Sequence, residues 1–263
     1  MSADAGRPER APLGSLAALA ATEWPPWPPP EILETTPSTM TEVERRAAQA
    51  APEGTVVVAE EQTAGRGRRG RTWESSARAG LWWSLLLRPR VPADHLGLLP
   101  LVVGVGVARG LRAAADVDVS LKWPNDVLVG GGKLAGILAE RLADGSVVVG
   151  VGINVDQDTS ELPEGGVSLR TAGHAVERTA VLVDVLAAVA KTYREWLAGA
   201  NVMPEYVALS ATLGRDVHAD LGDRVIIGHA VRLGQSGQLV VVDAGGVEQE
   251  LSAGDVTLAR QEP

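Results

Sequence analysis

The chain has no cysteine. That excludes disulfide frameworks, thiol nucleophiles and cysteine zinc sites, and it suits a reducing compartment. Histidine is scarce: His95, His174, His218 and His229 are scattered, none in HExxH-type spacing, so surface or core placement is expected and a metal cluster is not. An excess of positive charge is missing too. With 24 Lys and Arg against 33 Asp and Glu, the formal net charge is -9. The overall field therefore attracts neither nucleic acid nor anionic lipid, and any anion site must be local. The longest apolar run, Leu96 to Leu111, contains Pro100 and stops short of the ~20 residues of a membrane span. APLGSLAALAA follows Arg7 and Arg10, but Asp4 and Glu9 interrupt any leader-like pattern, so a mobile segment is expected there. No internal repeat is present. A soluble, cytoplasmic protein without a membrane partner is expected.

The 263 residues, 45% hydrophobic, suffice for a large domain with a small appended one. Residues 1–31 are Pro-rich, including WPPWPPP, and favour an extended, flexible segment contributing little core. STMTEVERRAAQAAPEG reads as a helix, with Thr41 and Glu44 at capping-box spacing and Val43 and Ala47 on one face. Strands are expected at TVVVAE, at LWWSLLLR, as a pair within VSLKWPNDVLVGGGKLAGILAE joined at Gly130 to Gly132, and at SVVVGVGINV. Helical spacing runs from about residue 92 to 115 and through TAVLVDVLAAVAKTYREWLAG. Hairpin strands beside separate helices argue for an α+β fold over residues 32–213. From Gly214 the chain changes to short strands separated by Gly, Asp and Ser, and residues 214–263 are expected to form a small β-barrel.

QTAGRGRRGRTW, Gln62 to Trp73, holds four arginines and three glycines in an acidic chain. Gly65, Gly67 and Gly70 satisfy GxGxxG literally, but no helical period follows and Arg90 stands where a ribose-binding acid belongs. A dinucleotide fold is thereby rejected, and no GxxxxGK[ST] phosphate loop exists. Four arginines in a loop that itself holds no compensating acid repel one another, which points to a bound anion gripped by guanidinium groups and glycine-exposed backbone N–H groups. A single Arg-Gly segment binding RNA phosphates is the competing reading. In KWPND, Pro124 fixes a bend between Lys122 and Asn125-Asp126. Lys122 with Asp126 reads equally as an ordinary salt bridge. Lys133 enters an apolar strand and either snorkels or meets an anion. Strict alternation puts Lys133 and Gly136 on opposite faces, so a shared ligand requires backbone contact or a local bend. Gly150 and Gly152 bare one face of a strand, for a ligand or for tight packing.

Taken together, Ser38-Thr39, QTAGRGRRGRTW, KWPND, GGKLAGILAE and GVGIN resemble, in order and spacing, the biotin protein ligases. The resemblance implies a mixed β-sheet flanked by helices, related to class II aminoacyl-tRNA synthetases and lipoate ligases, with a small C-terminal SH3-like β-barrel. It implies that biotin and ATP, with Mg2+, give biotinyl-5′-AMP and pyrophosphate, and that biotin passes to a lysine of a biotin carboxyl carrier domain of a carboxylase.

By resemblance, biotin is met by Ser38, Thr39, Met40, Gln62, Gly65, Arg66, Gly67, Arg68, Lys133, Gly136, Gly150 and Gly152. ATP and the adenylate are met by Arg66, Arg69, Arg71, Trp73, Lys122, Asn125, Asp126 and Asn154. Lys133, Arg68 and Asp126 are the catalytic candidates, Lys133 neutralising the biotin carboxylate and Asp126 serving as metal ligand and as proton acceptor in transfer. Met40 departs from the family's usual asparagine. The family's repressors carry an N-terminal helix-turn-helix domain, whereas the residues before Ser38 are Pro-rich, so no sequence-specific DNA binding is expected. Lipoate or octanoate ligation is the nearest alternative activity, and family members occur as monomers and homodimers. Residues 156–167 read as a surface loop that adenylate could order.

Overall fold

The computed structural model describes residues 10–258, apart from 23 and 253. Seven strands form one sheet: β1 (Glu31–Thr36), β2 (Val56–Gln62), β3 (Gly80–Leu87), β4 (Ser120–Lys122), β5 (Asp126–Val129), β6 (Gly132–Arg141) and β7 (Val147–Asn154). Their order is β1-β2-β3-β7-β6-β5-β4. β1 and β2 run parallel, joined through helix α1 (Thr39–Ala48) as a parallel pair requires. Every other neighbouring pair is antiparallel, so the sheet is mixed.

β7 shows how the sheet divides the molecule. Val147, Val149, Val151 and Ile153 enter the main core with α2 (Leu99–Ala115) and α3 (Arg178–Leu197), while Val148 joins Met40, Val43, Ala47, Val57 and Leu86 under α1. Alternate residues of a strand face opposite sides, so Gly150 and Gly152 continue the α1 face. The apolar helical stretch Ala93–Ala115 is long enough to cross a membrane, but two thirds of its apolar 18-residue window is buried within the protein. Gly106 brings α2 close to α3: a Cβ there would lie 2.7 Å from the Val189 Cα.

A second, antiparallel sheet follows: β8 (Asp216–Asp220), β9 (Val225–Leu233), β10 (Leu239–Asp243), β11 (Glu248–Leu251) and β12 (Asp255–Leu258), ordered β11-β10-β9-β8-β12. Val217, Ala219, Ala230, Leu239, Val241, Leu251 and Val256 bury its inner side. β12 returns to pair with β8, setting Asp255 directly opposite Asp220.

Several expectations need correction. Among the described residues ahead of β1, several make packing contacts that a flexible segment would not; residues 1–9 lie outside the described residues. Leu19 is buried, and Trp27 meets Trp24 edge to face and Tyr193 at a tilt. Arg10 pairs with Glu161 at 2.5 Å and donates to the Asp156 carbonyl at 2.8 Å. Tryptophans between the prolines supply apolar area that a flexible segment lacks. α1 takes Ser38, not Thr41, as its N-cap. The expected pair of strands around KWPND is three, because Pro124 has no N–H for the ladder and the chain turns between Lys122 and Asp126. β1 and the short helix α4 (Met203–Ala208) were not anticipated. Residues 159–161 form a 3-10 turn with an Asp158–Glu161 capping box.

One ion pair ties the N-terminal segment to the core. Arg178, buried, donates to Glu60 at 2.9 Å, to the Gly80 carbonyl at 3.0 Å and to the Ala11 carbonyl at 2.7 Å. Glu60 in turn accepts from the Leu13 amide. Removing one partner strands the other charge in the interior. Arg178→Met is therefore expected to lower unfolding free energy by about 3–5 kcal/mol in urea melts, and a loss below about 1 kcal/mol, the value of an exposed pair, would contradict this account.

Candidate active site

A cavity of about 350 Å³ opens on the α1 face of the large sheet. Its inner end is polar. Ser38 is buried, and as N-cap residue its hydroxyl caps nothing and has no partner. The Thr39 amide and hydroxyl donate to Gln62 Oε1 at 2.9 and 3.0 Å, and Gln62 Nε2 donates to the Ser75 hydroxyl at 2.8 Å. Thr39 Oγ1 also lies 2.8 Å from Ser84 Oγ. These bonds fix the Gln62 amide orientation. The Met40 thioether caps this end, 2.8 Å from where a Cβ on Gly150 would stand.

The floor is backbone. Gly152 pairs with Gly136 across β6–β7, giving a strip without side chains beyond Gly150. The Trp73 indole lies on that strip: a Cβ would meet it at 2.5 Å from Gly152 and 2.7 Å from Gly136. Trp73 is anchored by its own amide, which donates to the Gly65 carbonyl at 2.9 Å. Its buried Nε1 has no hydrogen-bond partner.

At the other end Asp126 lies between two lysines, 2.6 Å from Lys133 Nζ and 3.5 Å from Lys122 Nζ. The Lys133 contact is made to Asp126 Oδ1 as an ion pair rather than as an aligned hydrogen bond. The β5–β6 register slips by one residue between Val127 and Leu128, and this irregularity supplies the local bend that strict alternation lacked. Lys133 Cε consequently lies 3.3 Å from a Cβ placed on Gly136, and its Nζ is 5.3 Å from the Trp73 ring centroid. The Lys133 backbone pairs with residues 165–167, which holds the adjoining loop against the cavity. Burial, then the charge of Asp126, holds the Tyr206 phenol of α4 far above its ordinary pKa, so it stays neutral.

The arginines do not lack counter-ions. Arg66 reaches Glu44 at 2.7 Å and also pairs with Glu140; burial opposes its charge, but these carboxylates outweigh it and raise its pKa. Arg68 donates to Asn125 Oδ1 at 3.0 Å and to the Gly254 carbonyl at 3.1 Å, and burial lowers its pKa. Arg71 pairs with Asp255 at 2.7 Å. The expectation of an uncompensated run fails because the acids arrive from distant elements, which sequence proximity does not show.

The cavity brings together Ser38, Thr39, Met40, Gln62, Arg66, Gly67, Arg68, Arg71, Trp73, Lys122, Asn125, Asp126, Lys133, Gly136, Gly150, Gly152 and Asn154. Gly65 and Arg69 do not line it. Gly65 sits behind Trp73, and Arg69 turns to the Asp220 carbonyl at 3.1 Å. Asn154, expected to meet the adenylate, spends its amide N–H groups on the Lys133 and Val167 carbonyls at 3.3 and 3.1 Å. Sequence reasoning missed Ser84, Glu164 and Asp255; only the last two line the cavity.

If Trp73 rests on the bare strip, Gly152→Ala should destabilise the protein by about 1–3 kcal/mol through overpacking. Trp73→Ala in the same chain should return most of that loss, read as a double-mutant cycle of thermal or urea melts. Additive effects would show that the indole does not lie there.

The chain matches the model of the biotin/lipoate A/B protein ligase family over residues 32–158. It is 39% identical over 238 residues to a biotin–(acetyl-CoA-carboxylase) ligase of Mycobacterium tuberculosis, covering 88% of this chain and 89% of that one. A bifunctional ligase/repressor BirA of Bacillus spizizenii is 34% identical, covering 85% of this chain and 71% of its own length. Among solved structures, the Aquifex aeolicus biotin protein ligase in complex with biotin and ATP superposes with a TM-score of 0.75 at 32% identity, over 88% of this chain and 99% of that one. With this fold and these relatives, the chain belongs to the biotin protein ligases of the biotin/lipoate A/B protein ligase family.

Proposed function

We propose that the protein activates biotin with ATP as biotinyl-5′-AMP and transfers biotin to a lysine of a biotin carboxyl carrier domain. The observation that carries this reading is one cavity with three zones in sequence: a polar pocket, a bare glycine strip and a cation-rich mouth. The hydrogen-bonded Thr39–Gln62 end and the free Ser38 hydroxyl suit a ureido ring. Gly150, Gly152 and Gly136 admit fused rings at van der Waals distance once the Met40 thioether moves off Gly150 and the Trp73 indole off Gly152 and Gly136, where the indole becomes available to cover the adenylate.

In the first step a carboxylate oxygen of biotin bonds to the α-phosphorus, the bond to the bridging oxygen of the β-phosphate breaks, and pyrophosphate leaves. Two anions must meet. Lys133 lowers that repulsion by turning from Asp126 to the biotin carboxylate, while Lys122, Arg68 and Arg71 face the phosphates. Mg2+ bound with the nucleotide would neutralise phosphate charge, and Asp126 Oδ1, released as Lys133 turns away, is the oxygen that would hold it. One carboxylate is enough for a magnesium ion that keeps phosphate and water ligands. In the second step the carrier amine bonds to the acyl carbon, the C–O bond to AMP breaks, and the amine proton passes to Asp126.

The catalytic unit in this reading is residues 32–213, with the barrel from 214 closing over the arginines. In this reading the protein acts in the cytoplasm.

Purified protein with MgATP should release pyrophosphate with biotin, but not with lipoate or octanoate, and mass spectrometry should find biotinyl-AMP. Release with lipoate or octanoate instead, or with no acid at all, would defeat the proposal. Lys133→Met should slow adenylate formation by about 10²–10³-fold. Asp126→Asn, given preformed biotinyl-AMP, should transfer biotin to a carrier domain more slowly than the wild type; an unchanged rate removes Asp126 as proton acceptor.

A further inference from the structure

Three arginines of the loop converge on one carboxylate of the barrel. Asp255 lies 2.7 Å from Arg71, 3.4 Å from Arg69 and 4.0 Å from Arg68, and it lines the cavity. Its strand partner across β8–β12 is Asp220. Like charges directly opposite on antiparallel strands destabilise the pair, so this carboxylate pair requires cations. Arg69 supplies one, donating to the Asp220 carbonyl at 3.1 Å and lying 3.9 Å from its carboxylate. Arg68 also donates to the Gly254 carbonyl, the residue before Asp255, at 3.1 Å.

We propose that Asp255 sets nucleotide affinity, its carboxylate occupying the place beside Arg68 and Arg71 that a phosphate group takes when nucleotide binds, while Arg69 holds it from outside the cavity. This rests on the reading of the loop as the triphosphate site. A carboxylate and a phosphate oxygen present the same chemistry to a guanidinium fork. Asp255 holds the loop folded with its arginines gathered, and a polyphosphate, carrying more charge, displaces it. Binding energy for nucleotide is then net of breaking the Asp255 contacts, and β12 loses its tie to the loop as the phosphates arrive.

Asp255→Asn removes the internal anion and keeps the side-chain size. Calorimetry with inorganic pyrophosphate and Mg2+ should show severalfold tighter binding, with a steeper weakening as salt is added, because the arginines now rely on the ligand alone. The KM for MgATP should fall severalfold while kcat changes less. Asp255→Glu should stay near the wild type. Equal or weaker pyrophosphate binding by Asp255→Asn, or equal tightening by Asp255→Glu, would overturn the proposal. In the wild type, hydrogen exchange of Asp255–Leu258 should quicken when pyrophosphate is added, and slower or unchanged exchange would also overturn it, whether or not the Asn variant folds. Pyrophosphate binding requires no biotin, so these results stand apart from biotin-dependent turnover: loss of turnover specificity refutes the proposed activity, and unchanged affinity refutes only the role of Asp255.

Discussion

Everything at the site depends on the alternation along β7. Valines and Ile153 on one side are buried against α2 and α3, and this fixes which residues face the other way. On that other side the strand carries Val148 under α1, then Gly150 against Met40 of α1, and then Gly152 under the Trp73 indole. A slip of one residue would bury glycines in the core and fill the cavity with valines. Core packing and cavity shape are therefore set by the same register.

The charges around the cavity are arranged as replaceable pairs. Asp126 is held between two lysines, Arg66 between two glutamates, and Asp255 among three arginines. Most of these groups are partly exposed, where an ion pair contributes roughly 0–1 kcal/mol, so exchanging a partner for a ligand costs little. The Glu60–Arg178 pair is different. Both side chains are buried and backbone groups complete their hydrogen bonds, which suits a permanent tie between the N-terminal segment and the sheet.

Much of the site was legible because glycine, proline and arginine carry local meaning. The Gln62–Trp73 loop, the bend at Pro124 and the bare face at Gly150 and Gly152 depend on residues close in sequence. The α+β class likewise followed from strands that alternate locally and from α2 and α3, whose apolar spacing is long. What escaped is non-local. Asp255 reaches the arginines from the barrel across more than half the chain, and no spacing rule connects them. The irregularity opposite Val127 and Leu128, which brings Lys133 over Gly136, follows from strand pairing rather than from either strand's pattern. β1 has an exposed, threonine- and glutamate-rich sequence, EILETT, because it is an edge strand, and edges carry little hydrophobic signal. Prolines suggested a loose N-terminus, but the buried area of Trp24 and Trp27 decided otherwise.

The central claim is that the glycine strip beneath Trp73 is the seat of the biotinyl group, with the lysines and arginines gathered around the mixed anhydride. A crystal structure with a non-hydrolysable sulfamoyl analogue of biotinyl-AMP tests it most directly. The account predicts the fused rings over Gly150, Gly152 and Gly136, the ureido group at Ser38, Thr39 and Gln62, Lys133 turned from Asp126 to the acyl oxygen, and the Trp73 indole moved off the strip. An analogue bound elsewhere while Trp73 remains against Gly152 would contradict it.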